Sequence, residues 1–476
     1  MISDDRALAL THVTVIDVDG GPSLPDQTVL VSGGTIAEVG PASLVVIPPG
    51  ARVHDLTGRY VIPGLTDMHV HSESGVDDER HFPALYIANG VTTVREMWGK
   101  PLLHEWRRRT SSGEMLGPRS VIAGPIVDGS PALWEDIPTD APIIRAATAE
   151  EARRAVHETK DGGADFVKVY SRLAREPYFA LLEEAARQDM TVVGHRSDLV
   201  PLREQIGAGQ RSFEHVHGLW PATSGDVERM EAAMARISPQ PGFYYADWFR
   251  QVNAVEWESV SRYSAASAAS LFERMVAEDV AYCPTLVMHA TVDLPEWMRL
   301  DDERLTYMTP DTPGMWSFVR DQIFYGGGRS SEEEARRRTL FEHRRAAVAA
   351  MDEAGVRLLA GTDAVTPGLF PGFALHEELE FLVGSGLTPL RALRAATLEP
   401  ARFLGRERTS GSVAAGKLAD LVVLDADPLA DITNTRRIHA VVAAGRYVGP
   451  DERRRLLENA AAAAAEAPMP QMEGAE

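Results

Sequence analysis

Between residues 63 and 410, short apolar stretches with strand character alternate with helical ones, and this alternation constrains the chain more than any other feature. Eight strands are expected, at GLTDMHVH, VTTVREM, RSVIAG, DFVKVYS, MTVVGH, RSFEH, VAYCPTL and VRLLAGTDA. Helical stretches such as AEEARRAVHETKDG, PYFALLEEAARQ and LHEELEFLVGSG lie between them. That rhythm is the pattern of a parallel sheet covered by helices, and eight such units suggest a closed barrel. Two intervals, about residues 218 to 278 and 288 to 355, exceed the usual strand–helix connection and are expected to carry additional helices or a lid.

The two ends of the chain read differently. LTHVTVIDV, TVLVSGGTIAEVG with a Gly33-Gly34 hairpin signal, and RVHDLTGRYVIPG are strand-like, and the same texture returns at ADLVVLD and IHAVVAAGRYV. The simplest arrangement is one small β-sandwich domain built from residues 1–62 and 411–450, with the barrel of residues 63–410 inserted. The expected fold class is therefore α/β, a (β/α)8 TIM-like barrel with a composite β-sandwich domain. Residues 451–476 begin as an exposed helix and end in small, acidic, Pro-containing sequence, so they are expected to be a tail that is partly helical or disordered.

Bulk composition narrows the partners. A formal net charge of -21 argues against nucleic acid or an anionic membrane, both of which reward basic patches. Cys283 is the single cysteine and sits in an apolar run, where an inert core thiol is expected and no internal disulfide can form. MISDDRALALTHVTV lacks a basic region followed by an apolar core, and no stretch approaches a membrane span, so a cytoplasmic location is expected.

The chemistry gathers at strand ends. In DMHVH, His69 and His71 stand at i and i+2, so in a strand both point the same way and could grip one metal ion. His195 closes MTVVGH, His215 closes RSFEH and Asp363 follows VRLLAGT. Lys168, between Phe166 and Tyr170 in an otherwise apolar strand, is a buried ammonium that has to be paired or chemically changed. Barrel enzymes keep their chemistry at the C-terminal ends of strands, and six residues on five of eight strands make a metal site the expected reading. A lone strand-end histidine would more often be structural.

With these motifs in view, the chain resembles the amidohydrolase superfamily of metal-dependent hydrolases, in its prolidase-like and imidazolonepropionase-like branch. PGLTDMHVH, ANGVTTVREMWG, GADFVKVY, the SFEH and GTDA segments, and GLTPLRALRAATLEPARFLG through GKLADLVVLDADPLADI carry the resemblance. It implies two divalent metal ions, expected to be zinc with manganese or cobalt as alternatives. His69, His71 and Asp363 would bind the more buried one, His195 and His215 the second, and Lys168 would bridge them as a carbon dioxide-derived carboxylated lysine. A bridging hydroxide would then be the nucleophile, and Asp363 would move its proton to the leaving amine. The text GHRSD and EHVHG departs from the family pattern: His217 creates a second H-x-H, and strand parity alone admits His217 as well as His215. His215 is preferred because it aligns with the motif.

Other residues carry alternatives. Arg95 and Glu96 could orient ligands or form an ion pair serving only the barrel. His376 and Glu377 in FALHEELEF read as a helix face, and His289 and Tyr282 could line the pocket or be structural. His12, His54 and His439 belong to the β-domain and should be remote from the metal.

The function implied is a binuclear hydrolase cleaving a C–N bond of a small substrate, such as a dipeptide or an N-acyl amino acid. The alternative is a mononuclear hydrolase of a cyclic amide or an aminohydrolase, and a third reading is a non-catalytic relative. Self-association is common in the family, so a homo-oligomer is expected. The aromatic-rich stretches GFYYADWFRQVNAVEW and DLPEWMRLDDERLTYM in the long intervals hold no decodable substrate motif.

Overall fold

The computed structural model describes residues 7–72, 80–137, 141–326 and 328–467. Eight short strands run in chain order around a barrel: Leu65–Val70, Val91–Glu96, Arg119–Asp128, Phe166–Val169, Thr191–Gly194, Ser212–Glu214, Ala281–Cys283 and Arg357–Leu358. Each pairs in parallel with the next. The ring closes between the last strand and the first, where the Met68 N–H donates to the Ala360 carbonyl at 2.9 Å and the Asp363 N–H to the His69 carbonyl at 2.7 Å. A parallel bridge from Val70 to Ala364 completes the seam.

Burial on both faces explains the near-continuous apolar runs. Leu65–Val70 and Phe166–Val169 are buried at every residue, helices covering the outside while side chains fill the inside. The helix Ala149–Asp161 shows how a covering element is made. Thr148 and Glu151 form a reciprocal capping box at its start, and Ala152, Ala155, Val156 and Thr159 form one buried stripe at helical spacing. A three-residue strand, Ile143–Arg145, pairs beside Arg119–Asp128 and was not among the eight expected. Three residues are too few to establish a period.

Four of the six candidates lie just past the strands that carry them, whereas His69 and Lys168 lie within theirs. The last paired residues of the strands include Val70, Gly194, Glu214 and Leu358, so His71, His195 and His215 each sit one residue beyond a strand end and Asp363 lies in the connecting turn. Two glycines permit close approach there. A Cβ on Gly194, whose φ is +132°, would come within 2.2 Å of the Val169 carbonyl oxygen, and one on Gly361 within 2.5 Å of Cys283 Sγ and 2.9 Å of the His69 backbone nitrogen.

Both chain ends build the second sheet. Its order is Arg446–Val448, Ile438–Ala443, Leu421–Leu424, Tyr60–Pro63, Leu8–Val15, Leu24–Ser32 and Thr35–Pro41, with Arg52–Asp55 also pairing Leu8–Val15. The antiparallel pairing of Leu421–Leu424 with Tyr60–Pro63 joins the ends. The sheet curls until its far edge returns: the Ile36 N–H donates to the Lys417 carbonyl at 2.7 Å and the Ala419 N–H to the Gly34 carbonyl at 3.0 Å. Leu10, Val29 and Ile36 from one end share a buried apolar core with Val423 and Val442 from the other.

The two long intervals carry helices. Val227–Ala235, Tyr244–Val260 and Ala265–Ala277 lie in the first, and Thr312–Phe318 and Ser331–Ala354 in the second. The last described element is a helix at Pro450–Glu466, which is not the exposed helix expected: Ala460, Ala463 and Ala464 are buried and Arg453 donates to the Ala88 and Ile438 carbonyls, because small residues on one face let it dock. The remainder of the expected tail from residue 468 lies outside the described residues. Among the described residues no helix is long and apolar enough to cross a membrane.

Candidate metal centre

At the C-terminal mouth of the barrel two imidazoles converge on one carboxylate oxygen. Asp363 Oδ1 lies 2.9 Å from His71 Nε2 and 3.2 Å from His69 Nε2. One donor atom from each of these three residues falls within 4.8 Å of the others. His215 lies against His69, with ring centroids 4.7 Å apart, and against His195, at 4.8 Å. The Lys168 amine, with the residue 1% exposed, is near enough to act electrostatically on His71, His195, His215 and Asp363. All six residues singled out at strand ends are thus brought together.

Each of three rings is held from behind through Nδ1. The His69 nitrogen meets Glu214 Oε2 at 3.0 Å, that of His195 meets Ser171 Oγ at 3.0 Å, and that of His215 meets Thr285 Oγ1 at 2.7 Å. With Nδ1 engaged, Nε2 is left for another partner, the arrangement that orients an imidazole toward a metal. Glu214 is itself clamped by Arg95, whose Nη2 reaches both carboxylate oxygens at 2.8 Å while its Nε donates to the Met68 carbonyl at 2.6 Å. The two readings of Arg95 therefore merge: it forms an internal ion pair, and that pair holds a ligand candidate. Glu96 accepts from the Ser72 N–H at 3.1 Å, next to His71.

Sequence reasoning missed Glu214, Ser171 and Thr285. The signal for Glu214 was present, since a carboxylate inside SFE is as anomalous as the lysine inside FVKV. Ser171 and Thr285 gave none, because a small hydroxyl in a strand end is common.

Backbone strain concentrates at the site. His215, Thr285 and Asp363 have φ of 62°, 46° and 64°, a left-handed region that costs L-residues on the order of 1 kcal/mol each. Turned this way, Asp363 carries its oxygen back over the His69 and His71 rings.

Electrostatics favour neutral imidazoles beside an ionised carboxylate. Burial drops His71 to about 3 and takes His195 and His215 well below the usual histidine value. Burial alone would raise Asp363, but His215, His69 and His71 around it hold it well below the usual carboxylate range. Burial likewise opposes ionisation of Glu214, yet Arg95 and His69 bring it down to about 2. Burial lowers the Lys168 amine to about 8, against the pull of Asp363 and Glu214. Two imidazole nitrogens and a carboxylate oxygen are the donor set of a divalent metal such as zinc. Among the described residues, buried His71 Nδ1 has no hydrogen-bond partner and buried His69 Nε2 has only the 3.2 Å approach of Asp363 Oδ1, so the residues present fit such an ion.

The remaining candidates separate from this cluster. His217 stands one step outward, 5.9 Å from His215 and 4.6 Å from His289. His289 Nε2 accepts from the Val216 N–H at 2.9 Å. His376 bonds Thr435 Oγ1 and the Asn89 carbonyl at 3.0 Å each, and Glu377 pairs with Arg304 at 2.7 Å. Tyr282 is buried, and burial pushes the Cys283 thiol well above its ordinary value. His12 pairs with Asp26, His54 stacks on Tyr447 and His439 faces Asp425, all in the composite sheet.

A parallel barrel with a candidate His–His–Asp metal group at its C-terminal mouth, joined to a curled sheet made from both chain ends, is the architecture of a barrel enzyme. The sequence profile of the amidohydrolase family matches residues 60–448, and the chain belongs to that family. An imidazolonepropionase of Cereibacter sphaeroides is 24% identical over 447 residues, covering 90% of this chain and 97% of that protein. An adenine deaminase of Ruegeria pomeroyi is 40% identical over 87 residues, which is 18% of this chain and only 14% of the deaminase. Among solved structures, a bottromycin amidohydrolase is 25% identical with a TM-score of 0.73, covering 96% of this chain and 91% of that one. A Xaa-Pro dipeptidase solved with methionine in its active site shares the fold at 18% identity and a TM-score of 0.66, covering 93% of this chain and 100% of the dipeptidase.

Proposed function

We propose that this protein hydrolyses a C–N bond of a small amide, such as a dipeptide or an N-acyl amino acid, at a binuclear metal centre. His69, His71 and Asp363 would hold one divalent ion, His195 and His215 a second, and Lys168, carboxylated, would lie between them. Zinc suits this donor set, with manganese or cobalt as alternatives. When bound, the ions supply the Lewis acidity that activates water and polarises the substrate carbonyl.

The observation that carries the reading is the burial of Lys168 among two pairs of imidazoles and Asp363. Carboxylation converts a buried cation into an anionic oxygen donor. The interior would then hold carboxylates in excess over Arg95, an imbalance that bound cations offset. Asp363, held ionised by the histidines around it, would take a proton and pass it to the leaving nitrogen. Its Oδ1 faces His69 and His71 and would be the ligand atom, while Oδ2, which accepts from Thr366 Oγ1 at 3.0 Å, is the oxygen left to carry that proton. Glu214, Ser171 and Thr285 hold the rings in register.

Metal analysis of purified protein tests this. Near two equivalents of divalent ion are expected, with loss of metal and of amide turnover in Lys168→Ala. One tightly held ion and full activity in that variant would overturn the binuclear reading. A second reading, a mononuclear hydrolase of a cyclic amide, would then stand. It is favoured by the tight ligand grouping of His69, His71 and Asp363 and by the imidazolonepropionase relative, which extends over nearly the whole chain.

A further inference from the structure

An arc of aromatic rings borders the candidate centre. Trp98 packs on His71 at 4.3 Å between centroids, and Tyr170 stacks on His195 at 4.0 Å. Trp134 joins them edge to face, 5.6 Å from Trp98 and 5.7 Å from Tyr170. Tyr245 continues the arc, 6.5 Å from Trp134 and 5.7 Å from Trp248. The rings come from four separate parts of the chain: turns after the second and third barrel strands, the end of the fourth, and the helix Tyr244–Val260. One end of the arc rests on an imidazole of the His69–His71 pair and the other on His195. A substrate group reaching across the centre on this side has to lie against it.

Trp98, Trp134 and Tyr245 are only half-buried, whereas Tyr170 and Trp248 are buried behind them. The front three therefore keep ring surface that a ligand can cover. Behind them the packing is apolar, with Leu133, Ile126, Met288 and Phe249 in one cluster. The Trp98 indole N–H is buried and has no hydrogen-bond partner among the described residues, which gives the wall one donor for a ligand oxygen.

Nearby carboxylates are already committed, so the wall is not an ammonium cage. Asp128 accepts from the Leu133 and Arg172 N–H groups at 2.6 Å each. Asp198 accepts from Trp248 Nε1 at 2.7 Å and pairs with Arg172, and Asp136 accepts from the Tyr244 N–H.

We propose that Trp98, Trp134 and Tyr245 form a specificity wall that selects a neutral planar aromatic group adjoining the scissile amide. This rests on the amide-hydrolase reading above. Edge-to-face and offset contacts with the exposed parts of three half-buried rings reward a flat apolar group over an aliphatic one of equal size, because the ring quadrupoles are matched as well as the area.

Two measurements test the wall separately from the chemistry. With metal-loaded protein, kcat/KM is compared between N-benzoyl- and N-acetylglycine, and between glycylphenylalanine and glycylalanine. In at least one pair the aromatic substrate should be preferred about ten-fold or more, the scale that two ring contacts supply. That ratio should fall about ten-fold in Trp134→Ala and largely return in Trp134→Phe. Independently, benzamide should quench tryptophan fluorescence of the purified protein at lower concentration than cyclohexanecarboxamide or tetramethylammonium, with the difference lost in Trp134→Ala and in Tyr245→Leu. Benzamide binding of this kind without turnover of any amide would support the wall and defeat the hydrolase reading. Turnover with no aromatic preference, or tighter binding of tetramethylammonium, would defeat the wall.

Discussion

The Glu214 carboxylate receives the His69 Nδ1 at 3.0 Å and is gripped on both oxygens by Arg95 at 2.8 Å, with all three side chains at most 1% exposed. A buried ion pair thus ends on a ligand candidate, and its two functions can be separated by substitution. Glu214→Gln keeps an oxygen acceptor for His69 but leaves Arg95 without its counter-charge. Metal affinity is expected to fall roughly 10- to 100-fold, as for outer partners of ligating histidines. Stability should also fall by about 3–5 kcal/mol, the usual cost of an orphaned buried charge. Replacing both partners, Arg95→Met with Glu214→Leu, should recover much of the stability and none of the metal affinity. Chelator competition followed by urea unfolding measures both; recovery of metal binding in the double variant would show that Glu214 does not position His69.

Ser171 and Thr285 act on the other two rings. Ser171→Ala and Thr285→Val remove the hydroxyls at 3.0 Å and 2.7 Å from His195 and His215 while leaving His69, His71 and Asp363 untouched. After saturation with metal and removal of the loosely held ion by dialysis, each variant should hold close to one equivalent where the binuclear proposal expects close to two in the parent. Loss of both ions together would argue that the sites do not fill independently.

Glu378 offers a pH dependence away from the ligands. It is buried on the helix Phe373–Gly384, accepts the Val287 N–H at 2.8 Å, and burial pushes its carboxyl up to about 8 from an ordinary 4.5. Its folded pKa lies above its unfolded one. Its contribution is therefore fully present below about pH 4.5 and is lost as pH rises through about 8, where the folded state must carry a buried anion. Glu378→Gln keeps the acceptor and removes the titration. Relative to the parent, the variant should gain stability progressively from pH 5 to pH 9, by on the order of a few kcal/mol at the top. Parallel pH–stability curves for the two proteins would rule this out.

Strand-end placement made most of the candidate cluster legible in the sequence, and the limits were physical. His69 and His71 could be paired because the chain is extended through DMHVH, where alternate residues share a face. The same parity count failed to separate His215 from His217. The ladder ends at Glu214, and His215 then turns into the left-handed region at φ 62°, so alternation no longer holds from His215 onward. Thr285 and Asp363 are turned in the same way, and nothing in PTL or GTD announces it. Trp134 lies in SPALWED, a connecting segment with no period, and meets Tyr245 only because a helix more than a hundred residues later folds over the same mouth. Contacts made by loops across such separations leave no local pattern.

Gly194 ties the barrel wall to the pair His195 and His215 proposed for the second ion. It is the last residue of its strand, pairs with Val169 beside Lys168, and immediately precedes His195. Its φ of +132° is one that L side chains rarely adopt, and an added Cβ would fall 2.2 Å from the Val169 carbonyl oxygen, which is backbone and cannot swing aside. That carbonyl accepts the His195 N–H at 3.1 Å, so relief of the clash has to move His195 or the strand carrying Lys168. Gly194→Ala is therefore expected to cost about 2–4 kcal/mol of stability, the range for strain at a special backbone position combined with overpacking. At a temperature where the variant is still folded by circular dichroism, it should lose the ion assigned to His195 and His215 and retain the one assigned to His69, His71 and Asp363. Gly163, with φ +77° but nothing within 4 Å of an added Cβ, is the control: Gly163→Ala should cost about 1 kcal/mol and leave metal content unchanged. Equal metal loss in both variants would place the cause in global destabilisation; loss confined to Gly194→Ala would assign it to the approach of two barrel strands beneath His195.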